Sequence, residues 1–260
     1  MRVFNKLPRR SWPLALALLA GCGYYQVPGR FQPLQAEAQQ SATGGAQMEV
    51  HDDGSVNFIL NRLEVSVRPM LDEELNRQFP TLSTDSKGPA DEVATNAFTY
   101  GDWKDPRTGQ SPQRFSIFKV SIKNYEYPKV KFDPLKTVIH AGNGRVYYPW
   151  GRYDFEEYFR RFPQAFNGLG YLRLNERRAM LKRSQYPDDE FCFSGQTTEG
   201  YILFPVIHSD VTEVTFEIPE VGIRYNFRDE PVEQVDLNFR FKRDLRKVKT
   251  YEELAAQTAK

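Results

Sequence analysis

The C-terminal third of the chain alternates. "EVTFEI" puts Val214, Phe216 and Ile218 on one side of an extended backbone, and "VGIRYNF" does the same with Ile223, Tyr225 and Phe227. "VDLNFRF" sets Val235, Leu237, Phe239 and Phe241 against Asp236, Asn238 and Arg240. An apolar period of two belongs to strands with one dry face and one wet face, because successive side chains of a strand point to opposite sides. Pro219-Glu220 and Asp229-Glu230-Pro231 punctuate these runs and read as turns. An aromatic content of 14% suits the same β-rich reading.

The pattern recurs upstream. "SVNFILNRLEVSVRPM" places Leu63, Val65 and Val67 opposite Glu64 and Ser66, after a turn at "HDDGS" (His51 to Ser55). "FSIFKVSIKNYEY" alternates Phe118, Val120 and Ile122 with Lys119, Ser121 and Lys123, and Val130 and Phe132 continue it. Lys136 to His140, a turn at Gly142-Asn143-Gly144 and Val146 to Tyr148 form a strand-turn-strand signature. "GYILFPVI" reads as a strand covered on both faces. About eight short strands with frequent turns make an antiparallel β-sandwich the expected architecture. Two helices interrupt it, over "DFEEYFRRF" and over "LNERRAMLKRSQY", the second with Asn175 as N-cap and Pro187 as terminator. "MLDEELNRQF" reads as a short helix.

The front of the chain is an address. The first thirteen residues carry Arg2, Lys6, Arg9 and Arg10 and no acid, and Leu14 to Ala20 is a run of only seven apolar residues. A spanning helix needs about 20, so this is a secretory signal. Arg9-Arg10 hints at twin-arginine export, but Pro13 and the absent remainder of that motif favour ordinary export. Leu19-Ala20-Gly21-Cys22 resembles the lipobox of bacterial lipoproteins. The resemblance implies diacylglycerol on the Cys22 thiol, cleavage before Cys22, and acylation of the new amino group. The competing reading is a chance cysteine behind a plain signal peptide. Gly23, where a retention signal would carry Asp, points by the same resemblance to the outer membrane of a Gram-negative cell.

The expected organisation is therefore a signal peptide over 1–21 and a lipidated cysteine with a flexible tether over 22–50. A β-sandwich domain follows over 51–242, with a helical insert at about 151–187, and a C-terminal basic tail with a short helix over 243–260. "QAEAQQSATGGAQ" gives the tether its character, having almost nothing to bury. Thr250 and Glu253 form a capping box for the terminal helix. The chain beyond residue 21 carries 31 basic and 34 acidic residues, which with export argues against a nucleic-acid partner.

"FKVSIKN", Pro128, "GNGRVYY" and "EGYILFPV" together resemble the immunoglobulin-like domain of many bacterial lipoproteins of unknown function. The likeness runs from about Val56 to Phe241, broken by the helical stretch and by Leu71 to Arg114. It implies a mainly β, immunoglobulin-like antiparallel β-sandwich with a two-helix insertion, in the cell envelope. It implies no activity.

Catalytic patterns are missing. The three histidines, His51, His140 and His208, form no H-E-x-x-H pair, and "FSGQ" around Ser194 lacks the first glycine of a nucleophile elbow. Asp52 and Asp53 fall short of the oxygens calcium needs. His208-Ser209-Asp210 is no triad, since neighbours on a strand diverge. With Cys22 acylated, Cys192 has no partner for a disulfide. Between Phe191 and Phe193 it reads as a buried apolar residue rather than a thiol nucleophile with His208. The Phe155, Tyr158, Phe159 and Phe162 stripe reads as core packing rather than a docking face, and Glu156–Arg160 and Glu157–Arg161 are spaced as helical ion pairs. Arg173, Arg177, Arg178, Lys182 and Arg183 crowd the second helix, as a solvated face or as a patch for an anionic partner. The expectation is a non-catalytic, lipid-anchored module without catalytic residues, metal or cofactor. It would bind or scaffold an envelope protein or polysaccharide, through that patch, loops or an edge strand. The alternative is an envelope hydrolase of polysaccharide or peptidoglycan whose site shows no motif.

Overall fold

The computed structural model describes residues 25–39, 44–79, 96–101, 111–160 and 168–249. Along the chain these form β1 (Tyr25–Pro28), β2 (Gln32–Pro33), β3 (Gln47–Val50), β4 (Val56–Leu60), β5 (Leu63–Pro69), helix α1 (Asp72–Gln78), β6 (Ser116–Asn124), β7 (Lys129–Val130), β8 (Val138–Ala141) and β9 (Val146–Tyr147). Helices α2 (Arg152–Arg160) and α3 (Gly168–Ser184) follow. The chain then returns to β10 (Cys192–Phe193), β11 (Gln196–Phe204), β12 (Glu213–Tyr225), β13 (Pro231–Lys242) and β14 (Leu245–Val248).

The fold is mainly β, and the strands pair antiparallel. One five-stranded sheet has the order β11-β6-β5-β4-β3, and the other the order β2-β13-β12-β8-β9. The predicted alternation explains why both close on one core. Val65, Val67, Phe118, Val120, Ile122 and Phe204 from the first sheet join Ile139, Phe216, Ile218, Leu237, Phe239 and Phe241 from the second in a single buried cluster. The opposite face of the first sheet is also dry. Ile117, Tyr201 and Leu203 lie in a second cluster with Leu75 of α1, Phe155 of α2 and Leu181 of α3. The strand over "GYILF" is thus buried on both faces, since Gly200 to Phe204 are all buried. Phe155 is core, as its spacing predicts, and Tyr158 packs beside it. The Phe159 side chain and Phe162 lie outside the described residues.

Turns are set by residues that tolerate unusual backbone. Asn61, with φ of 55°, starts the two-residue link between β4 and β5, so the long alternating stretch is two strands rather than one. Asn124, fully buried at the end of β6, donates to the carbonyls of Tyr127 at 2.8 Å and Cys192 at 2.9 Å, and accepts from Tyr127 N at 3.0 Å. One amide thereby closes the turn after its own strand and ties in β10.

Several expectations need correction. Pro219-Glu220 does not separate two strands. β12 runs through it with a register shift between Ile218 and Val221. Glu220 adopts a φ of 53°, and β13 stitches the bulge closed: Asp236 accepts from Glu220 N at 2.8 Å and Gln234 donates to Glu220 O at 3.2 Å. The tether expected over 22–50 is largely structured. β1 pairs with β14, β2 pairs with β13, and Gln39 is buried. The Gln39 side-chain amide donates to Arg240 O at 2.8 Å and accepts from Arg240 N at 2.9 Å, which mimics a neighbouring strand. Composition gave little sign of this because much of the gain is backbone pairing, to which Phe31, Ala46, Met48 and Val50 add partial apolar packing on the main core. The expected C-terminal tail likewise begins as strand β14, while Thr250 and Glu253 lie outside the described residues. Helix α1 is the short helix expected over "MLDEELNRQF", and α2 and α3 are the two of the insert. α3 starts at Gly168, so Asn175 stands inside the helix rather than at its cap; Gly168 and Gly170 lower the propensity that would have revealed the start.

The helical insert is pinned at both ends to the edge strand β11. Trp150 N donates to Leu203 O at 2.7 Å before α2, and Tyr186 N donates to Tyr201 O at 3.0 Å after α3. Gly200 permits the second contact. A Cβ there would stand 2.4 Å from the Tyr186 Cα and backbone N, and neither can move aside as a side chain could. We expect Gly200→Ala to lower stability by about 1–3 kcal/mol, read as a drop in the urea midpoint, and to increase amide exchange at Tyr186. Unchanged exchange at Tyr186 would contradict the latch.

Candidate functional site: the cleft beside the edge strand

The two latches leave a gap between the insert and the sheet edge. It is a cleft of about 870 Å³. Trp150, Phe155, Leu181 and Tyr201 give it an apolar floor, and Arg152, Arg178, Lys182 and Arg183 bring positive charge. Phe115 holds the floor in place, with Trp150 at 5.2 Å and Phe155 at 5.8 Å between ring centroids, in edge-to-face geometry.

Of the five basic residues expected to form a patch on the second helix, the structure brings three to this cleft: Arg178, Lys182 and Arg183. Lys182 and Arg183 are exposed on α3, and Arg183 Nε returns to the carbonyl of Ala179 in its own helix at 3.3 Å. Arg178 is half-buried, and its Nε is shielded from water without an acceptor among the described residues. A shielded guanidinium N–H with no acceptor is costly. Arg177 turns elsewhere: it is half-buried and its charge acts on the Tyr158 phenol. Arg173 lies in α3 but its side chain, like Cys22, lies outside the described residues.

The acids of the cleft are partly engaged. Glu156 pairs with Arg152 at 3.8 Å, and Glu199 with Lys119 at 2.9 Å. Glu156 thus uses a cation one turn before it, whereas its expected partner Arg160, like Arg161, has no described side chain. Asp188 and Glu190 line the outer end of the cleft. Sequence reasoning missed Trp150, Tyr186 and Tyr201, whose assembly needs contacts across the fold. One local signal was available: a lone glycine, Gly200, inside an otherwise apolar strand marks a close backbone approach.

The other candidates have structural work. Cys192 is 1% exposed, its Sγ facing the carbonyls of Gln196 at 3.4 Å and Ile122 at 3.7 Å. His208 hydrogen-bonds elsewhere, its Nδ1 3.0 Å from the Tyr147 hydroxyl. Asp210 turns to Arg145 at 2.5 Å rather than to His208. Asp53 closes its own turn, accepting from Ser55 N at 2.9 Å and Ser55 Oγ at 2.6 Å. Among the described residues no group of three or more His, Cys, Asp or Glu is placed to hold a metal.

A second polar cluster anchors α1. Arg114, 7% exposed, donates to Asn96 O at 2.8 Å and stacks over the Tyr100 ring at 4.3 Å. Asn76 accepts from Asn96 Nδ2 at 2.9 Å and from the Thr99 hydroxyl. At the start of α1, burial pushes the Asp72 carboxyl up to about 6, helped by the charge of Glu73 and opposed by Arg114. The native state therefore holds this proton more tightly than the unfolded chain, with its value of 3.8. Stability falls as pH rises from about 4 to about 6, and the penalty is complete above that. We expect Asp72→Asn to raise stability at neutral pH by about 1–2 kcal/mol and to flatten this slope in urea titrations across that window. A slope equal to that of the wild type would show that another group sets it.

Comparison with protein-family models, with curated proteins and with solved structures finds no match to this chain.

Proposed function

We propose that this chain is a lipid-anchored cell-envelope protein whose immunoglobulin-like β-sandwich binds or scaffolds an envelope partner without catalysing a reaction. The observation that carries the binding role is the cleft beside β11, where an apolar floor meets Arg178, Lys182 and Arg183 and the Arg178 Nε has no acceptor among the described residues. Such a site suits a partner that presents an anionic group beside an apolar surface, an acidic envelope protein or an anionic polysaccharide. The lipobox-like Leu19 to Cys22 supports attachment through acylated Cys22, at the outer membrane of a Gram-negative cell. No helix among the described residues is long and apolar enough to cross a membrane.

A binding role is favoured over hydrolysis of polysaccharide or peptidoglycan by the state of the cleft carboxylates. A hydrolase of that kind works with a pair of carboxyl groups facing its substrate. Here Glu156 and Glu199 are each engaged by a cation, and the other two acids of the cleft, Asp188 and Glu190, stand two residues apart on the same loop after α3.

The test is a photo-crosslinking residue at Lys182, used in the native envelope beside one at exposed Glu49 on strand β3. We expect an adduct with an envelope protein or polysaccharide from position 182 alone. Arg178→Glu with Arg183→Glu should reduce its yield about tenfold or more. Equal adducts from both positions, or turnover of peptidoglycan or polysaccharide by the purified protein, would overturn the reading.

A further inference from the structure

The first and last strands of the described residues meet. β1 lies antiparallel to β14 in the register Tyr25–Val248, Gln26–Lys247, Val27–Arg246 and Pro28–Leu245. Gly29 N extends the pairing to Asp244 O at 2.8 Å. This ribbon leaves the molecule at the end of β13 opposite the Asn226–Glu230 turn, because β13 runs from Pro231 beside that turn to Lys242 beside the ribbon.

The segment brought to the N-terminal strand is basic. Lys242 at the end of β13, and Arg246 and Lys247 on opposite faces of β14, are exposed and form no ion pair among the described residues. One exposed acid, Asp244, stands among them. Arg243 is different: it is buried, stacked over Phe31 at 4.4 Å, with its guanidinium donating to the carbonyls of Val211 and His208 at 2.8 Å and 2.5 Å. That anchors the base of the ribbon in the core and leaves the other three cations facing solvent. The concentration of charge is local, since the chain beyond residue 21 has an acidic balance of 34 against 31.

Tyr25 is only three residues from Cys22. Even fully extended, three residues span about 11 Å. An acyl group on Cys22 would therefore hold the ribbon at roughly one Debye length from the lipid surface, where cations are still attracted to anionic headgroups. We propose that the β1–β14 ribbon is a membrane-contacting surface that uses Lys242, Arg246 and Lys247 to seat the domain on anionic lipid. The proposal rests on the reading of Cys22 as the lipid site. The acyl chains hold the protein at the membrane, and the ribbon adds an electrostatic contact that sets how the domain sits on it. It also orients the molecule, with the Asn226–Glu230 turn and the 89% exposed Phe227 directed away from the bilayer.

The test uses full-length protein from its native envelope, its acyl mass measured first. Its partition is compared between phosphatidylcholine vesicles and vesicles of phosphatidylcholine and phosphatidylglycerol in equal parts. We expect a preference for the anionic vesicles of about a hundredfold, at roughly fivefold for each cation near the surface. Lys242→Gln/Arg246→Gln/Lys247→Gln should abolish that preference while leaving binding to neutral vesicles unchanged. Arg62→Gln/Arg224→Gln/Arg228→Gln, which removes as many charges from the opposite end, should retain it. Acylated wild type and the ribbon variant partitioning alike, or both variants losing the preference equally, would overturn the ribbon's role and leave the anchor standing. Absence of acyl mass on the wild type would overturn the anchor itself.

Discussion

The molecule is organised around Phe118. Its ring centroid lies 4.9 Å from Phe216, and 5.9 Å from both Phe204 and Phe241. Phe118 and Phe204 belong to one sheet, Phe216 and Phe241 to the other, so a single aromatic group joins the layers. Each of these side chains is fully buried, and removing one from water contributes up to about 3 kcal/mol. Without that contact neither sheet has a place for its alternating apolar face. The edge latches, the helical cover and the terminal ribbon all presuppose it.

Sheet edges are the second organising constraint. An unpaired edge exposes backbone donors and acceptors and invites unwanted pairing. This chain covers two of its edges with its own irregular segments. Trp150 and Tyr186 cap β11, and Gln39 with Pro33 caps the end of β13. The cap on β11 does more than protect. It fixes where α2 and α3 start and stop relative to the sheet, and the cleft is the space left between them. Arg178, Lys182 and Arg183 of α3 line that space, the last two while exposed to solvent, because Gly200 lets the chain after α3 pack onto the strand.

Gln39 and Asn124 show how a polar residue serves a β-rich fold. Each is buried, and each satisfies backbone groups that no strand reaches. Neither is conspicuous as sequence. Asn124 ends an alternating run and reads as turn punctuation, while Gln39 sits in an Ala/Gln-rich stretch that looks unable to order itself. Low apolar content is a sound guide to disorder only where backbone pairing with a distant strand is unavailable.

The sequence by itself determined the strands of both sheets other than β2 and β3, which fall in the stretch that reads as a tether, together with the helical character of the insert, the Gly142–Gly144 turn and the burial of Cys192 and Phe155. All of these follow from side-chain periodicity or turn chemistry within a dozen residues, where the local backbone dictates which way a side chain points. Only the tertiary structure decided that β12 continues through Pro219, that Arg178, Lys182 and Arg183 share a cleft that Arg177 does not line, and that β1 lies against β14. Those outcomes depend on pairing between segments as far apart as Tyr25 and Val248. A strand's free edge offers the same donors and acceptors whichever segment arrives. The choice of partner is made by the packing of the whole core and leaves no local mark in the chain.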